Sequence, residues 1–228
     1  MRSLFIAVLI LSWLPMVLFK PHIGVLLWDW VSHMNPHRYT YGFAYNFPFL
    51  NFVAAATLVG VVLSRDRIKL SPHPILFILI AFYLWMVFTT VASFDWALSF
   101  EKLGHISKVL LFALISVVVM RSPNRLRAFV TIMALSLAFV AVKGGLFTLV
   151  TGATGRVQGA GGMIDDNNQL AMALAMMIPL SVWFIKYPPL PWLKWPLVGV
   201  AVCFVVAVLG TQSRGGLVAL ASHLPLSR

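Results

Sequence analysis

Seven apolar runs divide the chain, at about residues 3–19, 47–63, 74–92, 101–120, 128–150, 167–185 and 195–212, each bounded by polar or turn-forming residues. Each run is near the ~20 residues a helix needs to cross roughly 30 Å of hydrocarbon. In a bilayer every backbone group must be bonded within its own segment, which a helix achieves and a lone strand does not. The strict apolar–polar alternation of a barrel strand is absent from these runs. The pattern therefore predicts an all-α, polytopic transmembrane helical bundle of about seven spans. An eighth apolar run (GGLVALASHLPL) begins after Arg214 and is too short to cross before the chain ends at Arg228, which reads as a truncated span.

Two segments depart from this regularity. Residues 22–31 (HIGVLLWDWV) are apolar but too short to span, and Trp28 and Trp30 suit an interfacial or re-entrant position. The first run follows Arg2 as a signal peptide would. It carries Trp13 and Pro15 and lacks a small-residue cleavage site, so it reads as an uncleaved anchor.

Composition agrees with the pattern. Of 228 residues, 61% are hydrophobic and only 10% charged, against about 25% charged in soluble domains. Such a chain cannot cover a water-facing surface, and a lipid-facing one needs no cover. The net charge of +11 would raise nucleic acid as a partner in a soluble protein. Here the basic residues fall in short clusters between spans, which is a topology signal for cytoplasmic loops, and the lipid bilayer is the partner instead. One set holds Arg65, Arg67 and Lys69, then Arg121, Arg125 and Arg127, then Lys186 and Lys194, with Arg2 beside them. Asp29, Asp95, Glu101, Asp165 and Asp166 fall in the intervening segments. That alternation predicts a multi-pass membrane protein with a cytoplasmic N-terminus, reversed if 22–31 crosses. The single cysteine, Cys203, permits no internal disulfide, and no CxxC or HExxH spacing indicates a metal or other cofactor.

The chemistry concentrates on the acidic, outer side. Lys108 and Lys143 each lie about seven residues inside their runs, so both sit roughly 10 Å deep on one side, where charge calls for an anion or a wet cavity. The plain alternative is that each lysine extends alone to the headgroups. Gly144 and Gly145 follow Lys143 and leave the helix open to close approach or bending. The loop TGATGRVQGAGGMIDDNNQL (151–170) is glycine-rich and carries Arg156, then Asp165, Asp166, Asn167 and Asn168. One of those four polar residues caps the following helix, and four exceed what capping requires. Arg214, in GTQSRGG, can grip phosphate with paired hydrogen bonds or simply anchor at headgroups. Lys108, Lys143, Arg156 and Arg214 together suit a pyrophosphate on a lipid carrier. His22, His33 and His37, with Tyr39, Tyr41 and Tyr45, read as an interfacial face.

At these residues the chain resembles the O-glycosylation ligases associated with the exosortase A system, within the O-antigen ligase and polymerase superfamily. The matching stretches are GVLLWDWVSHMNPHRYTYGFAYNFPF (24–49), VKGGLFTLVTG (142–152), DDNNQLAMALAMMIPL (165–180) and LGTQSRGGLVAL (209–220). The resemblance divides the chain into an N-terminal membrane domain over 1–194 and the start of an O-antigen ligase-type domain over 195–228. It implies a multi-span enzyme of the bacterial inner membrane that moves a glycan from undecaprenyl diphosphate to a hydroxyl of an exported acceptor protein on the periplasmic face, without a metal. By the same resemblance Arg214 matches the superfamily arginine, Lys143 the lysine of its KGG element, and Asp166, Asn167 and Asn168 its acidic-Asn run; joined with Lys108 and Arg156 from the cationic cluster, these give Asp166 and Arg214 as the expected catalytic residues and Lys108, Lys143, Arg156, Asn167 and Asn168 as the expected substrate-binding ones. Members of this group more often read Glu-Gly-Asn-Asn where this chain has Asp165–Asn168. They also continue into a second half bearing the histidine usually assigned as catalytic, which has no counterpart before Arg228. A transporter or flippase, or a polymerase, for lipid-linked glycans is the alternative reading of the same cationic site.

Overall fold

The computed structural model describes residues 2–64 and 74–223. The cluster Arg65, Arg67 and Lys69 lies outside them. Among the described residues the chain forms helices, short 3-10 turns and loops, and no strand. The helices are α1 (Arg2–Leu11), α2 (Leu14–Phe19), α3 (Pro21–Met34), α4 (Phe43–Asn46), α5 (Phe49–Leu63), α6 (Pro74–Val91), α7 (Trp96–Val119), α8 (Pro123–Val150), α9 (Asn167–Lys186), α10 (Lys194–Gly210) and α11 (Arg214–His223). The protein is an all-α membrane bundle. Among the described residues six segments are long and apolar enough to cross: Arg2–Phe19, α6, α7, α8, α9 and Pro191–Gly210. The run expected over 47–63 forms the shorter α5, and the first span is broken between Leu11 and Leu14, with Pro15 opening α2.

Local chemistry sets the helix ends. Ser122 and Asp95 cap α8 and α7, their side chains accepting from the backbone N–H groups of Arg125 and Leu98. The Asp95 cap starts α7 at Trp96, ahead of the apolar run beginning near 101. Lys108 thus lies about 18 Å along its helix at 1.5 Å per residue, whereas Lys143 is about 10 Å from the end of α8.

α3 corrects the expectation for residues 22–31. This helix does not lie at an interface; it is packed against α2, α5, α7 and α8. It runs antiparallel to α5: Gly24 is against Thr57 and Val17, while Asn35 shares a cavity with Leu50 and Asn51. Trp28 is buried, its ring 4.8 Å from that of Phe112 on α7. Asp29, grouped above with the acids of intervening loops, is instead 0% exposed inside α3, with His33 Nδ1 3.0 Å from its carboxylate. Because α3 turns the chain back, Arg2 sits beside Pro36, Tyr39 and Thr40. That end also carries the 151–166 loop and is called the loop face below. Lys186 and Lys194 lie at the opposite end of α9 and α10, so Arg2 does not share their side.

Two buried cores hold the bundle. One gathers α1, α2, α3, α5 and the far end of α7 around Ile10, Val25, Val31, Phe49 and Ile115. The other joins α8, α9 and α10 around Leu137, Leu170, Leu174, Phe204 and Val208. Gly145 is the close-approach point of α8 and α10: a Cβ there would lie 3.1 Å from the Cys203 carbonyl. α8 passes through Gly144 and Gly145 without a break, so the pair serves packing rather than bending.

Candidate functional site

The loop face is organised by the segment between α8 and α9. Thr151 closes α8, and Gly152 and Ala153 take positive φ (57° and 61°), a turn that suits glycine and strains alanine. The returning chain is then stapled to α10. The Val157 N–H donates to the Gly210 carbonyl at 2.9 Å, and Gln212 Nε2 donates to the Ala153 carbonyl at 3.1 Å. Val157 is buried against Gly144, where a Cβ would come within 2.8 Å of its side chain. Glycine at 144 is thus what lets the loop reach the helix.

This staple brings Lys143 and Arg156 to one cavity of about 270 Å³.

 That is 140 Å³ less than the 410 Å³ of the adjoining apolar cleft beside Arg2, Pro36 and Phe139, with which it shares Tyr39. Lys143 Nζ stands 4.0 Å from the centre of the Tyr39 ring, a cation–π contact that holds the ammonium at the cavity wall. Gly144, Gly159 and Ala160 keep the remaining wall low. Among the described residues no carboxylate lines this cavity, so two cations face it with no acid between them. Burial holds the Tyr39 hydroxyl above the usual phenol range, which keeps it neutral beside Lys143.

The structure does not bring Lys108 or Arg214 into that cavity. Lys108 lines a larger space of 640 Å³ on the other side of the loop, with Asn35, Gly162 and Gln169. Between the two spaces Asn35, at φ 47°, donates from Nδ2 to the Gly161 carbonyl at 2.6 Å. Arg214 is exposed in the first turn of α11. Asp166 is the N-cap of α9, its carboxylate accepting from the Asn168 N–H at 2.7 Å. Asn167 donates to the Thr211 carbonyl at 3.0 Å, and Ser213 Oγ donates to Asn168 Oδ1 at 2.7 Å. The Ser213 oxygen also accepts from the Gly216 N–H at 3.1 Å. The Asp-Asn-Asn run and the SRGG element are thus one structure, joining the starts of α9 and α11, with Arg214 at its edge.

Tyr39 and Asn35 were not singled out by sequence reasoning as site residues. The signal for Asn35 was the Asn-Pro pair ending an apolar segment, since asparagine tolerates the left-handed region that closes α3. Nothing in the sequence sets Tyr39 apart from Tyr41 and Tyr45. His37, beside it, is buried near the Phe49 ring; burial and the neighbouring Arg38 charge hold its imidazole below the usual histidine range.

A family model described as a family of unknown function (DUF5935) matches residues 1–189, and the chain belongs to that family. No curated protein and no solved structure matches.

Proposed function

We propose that this member of a family without an assigned activity is the membrane part of a lipid-linked glycan ligase. In this reading it moves a glycan from undecaprenyl diphosphate to a hydroxyl of an exported acceptor protein. The observation that carries the reading is the convergence of Lys143 and Arg156 on one cavity that no described carboxylate lines. Two fixed cations there can neutralise the charge that grows on a diphosphate leaving group as the glycosyl bond breaks. Arginine adds a planar fork that matches phosphate oxygens. The basic segments around Arg121 and Lys186 assign their end of the bundle to the cytoplasm by the excess of positive charge. The loop face is then periplasmic, and the N-terminus with it, because α3 returns the chain.

The resemblance supplies the donor and acceptor classes, and Arg214 carries over from it as a second grip on the departing diphosphate. Asp166, whose carboxylate caps α9 through the Asn168 N–H, is in this reading the candidate to take the acceptor hydroxyl's proton. The test is binding and transfer of a labelled undecaprenyl-diphosphate glycan in membranes bearing the chain, with an exported acceptor protein present. Lys143→Glu and Arg156→Glu should each weaken donor binding by tenfold or more, about 1.4 kcal/mol. Donor binding that both charge reversals leave unchanged would remove the assignment.

A further inference from the structure

The 640 Å³ space beside Lys108 is a wedge between helices. α7 belongs to the bundle only at its far end, where Ile115 and Val119 are buried. Toward the loop face it stands away from α3 and α5, its Phe100, Ile106 and Val109 exposed, with α6 packed on its outer side. The wedge that opens has an ordered polarity. Its loop-face end carries Asn35, Asn51, His105, Lys108 and Gln169. Its deeper walls are Ala54, Ala55, Leu58, Val109 and Leu111, and its floor is Trp28, whose ring lies tilted against that of Phe112.

Lys108 is the cation of this space, and no carboxylate lines it among the described residues. A cation placed over apolar walls without a counter-charge calls for an anion supplied from outside. The volume falls in the roughly 300–1,000 Å³ range of sites that enclose a small ligand. Ordered polarity, charge and size agree on an amphiphile standing head-outward: its anionic group at Lys108, its hydrocarbon along Ala54, Leu58 and Val109.

We propose that the α3–α5–α7 wedge is a binding site for an anionic phospholipid, its phosphate held by Lys108. The occupant comes from the bilayer, because the wedge is bounded on its outer side by α7, a helix exposed over most of its length. This site is separated from the Lys143–Arg156 cavity by the Asn35–Gly161 hydrogen bond, and it does not rest on the glycan-transfer reading.

The test is lipid retention by the full chain, purified from nanodiscs of mixed phosphatidylglycerol and phosphatidylcholine and read by native mass spectrometry. The wild type should keep one phosphatidylglycerol in preference to phosphatidylcholine, and millimolar inorganic phosphate should not displace it. Lys108→Glu and Ala54→Trp, which fills the apolar wall, should each reduce retention at least tenfold. Lys102→Glu, an exposed charge reversal outside the wedge, should leave it unchanged. If Lys108→Glu yields no folded protein, Lys108→Gln keeps the stem and carries the same expectation. Equal retention of phosphatidylcholine, wild-type retention by the Lys108 and Ala54 variants, or displacement by inorganic phosphate would each overturn the proposal.

Discussion

Asn35 Nδ2 donates to the Gly161 carbonyl at 2.6 Å, joining two residues 126 positions apart. The bond ties the end of α3 to the loop between α8 and α9, and on either side of it lie the two cation-lined spaces. Asn35 also holds φ at 47°, a value glycine accepts and alanine resists. The two roles can be separated. Asn35→Gly keeps the backbone and loses the amide, so the loop should loosen at an expected cost of about 1 kcal/mol. Asn35→Ala loses both and should cost more. Hydrogen exchange over residues 157–162 should quicken in both variants; unchanged exchange there would mean the loop is held by its other contacts alone.

The Lys143–Tyr39 contact makes a prediction that depends on the ring and not on the hydroxyl. Tyr39→Phe preserves the aromatic face and should leave donor binding within about twofold. Tyr39→Leu removes the face, and the expected loss is about 0.5–2 kcal/mol, the range for a cation–π contact. Titrating the labelled donor against the two variants distinguishes the cases. Equal losses in both would transfer the role from the ring to the hydroxyl.

Ser213 gives a test of coupling. Its hydroxyl donates to Asn168 and accepts from Gly216, so Ser213→Ala removes a cap of α11 and a bridge to α9 together. Thermal unfolding in detergent should fall by an amount corresponding to about 1 kcal/mol. Asn168→Ala breaks the same bridge, so the double variant should cost less than the two single losses added. Strict additivity would mean that the two side chains act apart.

Packing at Gly145 is equally direct. A Cβ would stand 3.1 Å from the Cys203 carbonyl of α10, and the neighbour is backbone, which cannot swing aside. Gly145→Val should lower stability by roughly 1–3 kcal/mol, the cost of overpacking. Gly104→Val, where a Cβ meets nothing within 4 Å, serves as the control, and melting both in one detergent compares them. Equal melting of the two variants would show that α8 and α10 can part without cost.

The helical class and most of the long segments were legible because hydrophobic run length responds to one strong constraint, the thickness of the hydrocarbon. The cap on α9 was legible too, since Asp and Asn before an apolar run have a short-range reason to be there. The fate of α3 was not. At 14 residues it fails the length criterion for a lone span, yet α2, α5, α7 and α8 enclose it, and a helix sheltered by protein need not satisfy lipid. Asp29 was misread for the same reason: run length cannot tell an acid in a loop from one buried in a sheltered helix. Lys108 and Lys143, read as flanking one anion, line separate cavities, a separation that position within an apolar run cannot record. Convergence of Lys143 and Arg156 on Tyr39 depends on the loop after α8 folding back onto α10 and on the remote end of α3 arriving beside it, which no local pattern records.

His37 carries the pH dependence. The imidazole is buried near Phe49 and beside Arg38, and its Nδ1 has no hydrogen-bond partner among the described residues. Burial first, then the Arg38 charge, holds its folded-state pKa below the unfolded value, which is near 6.5. The unfolded chain therefore binds the proton more readily, and stability rises with pH through this window. The contribution is fully present above about pH 6.5 and is lost as pH falls from there through the folded-state value. His37→Gln cannot take up the proton. Melting temperatures of the wild type and of this variant, compared at about pH 7.5 and about pH 5, isolate the residue from the other histidines. The wild type should lose more on acidification than the variant does; equal losses would mean that His37 stays as easy to protonate folded as unfolded.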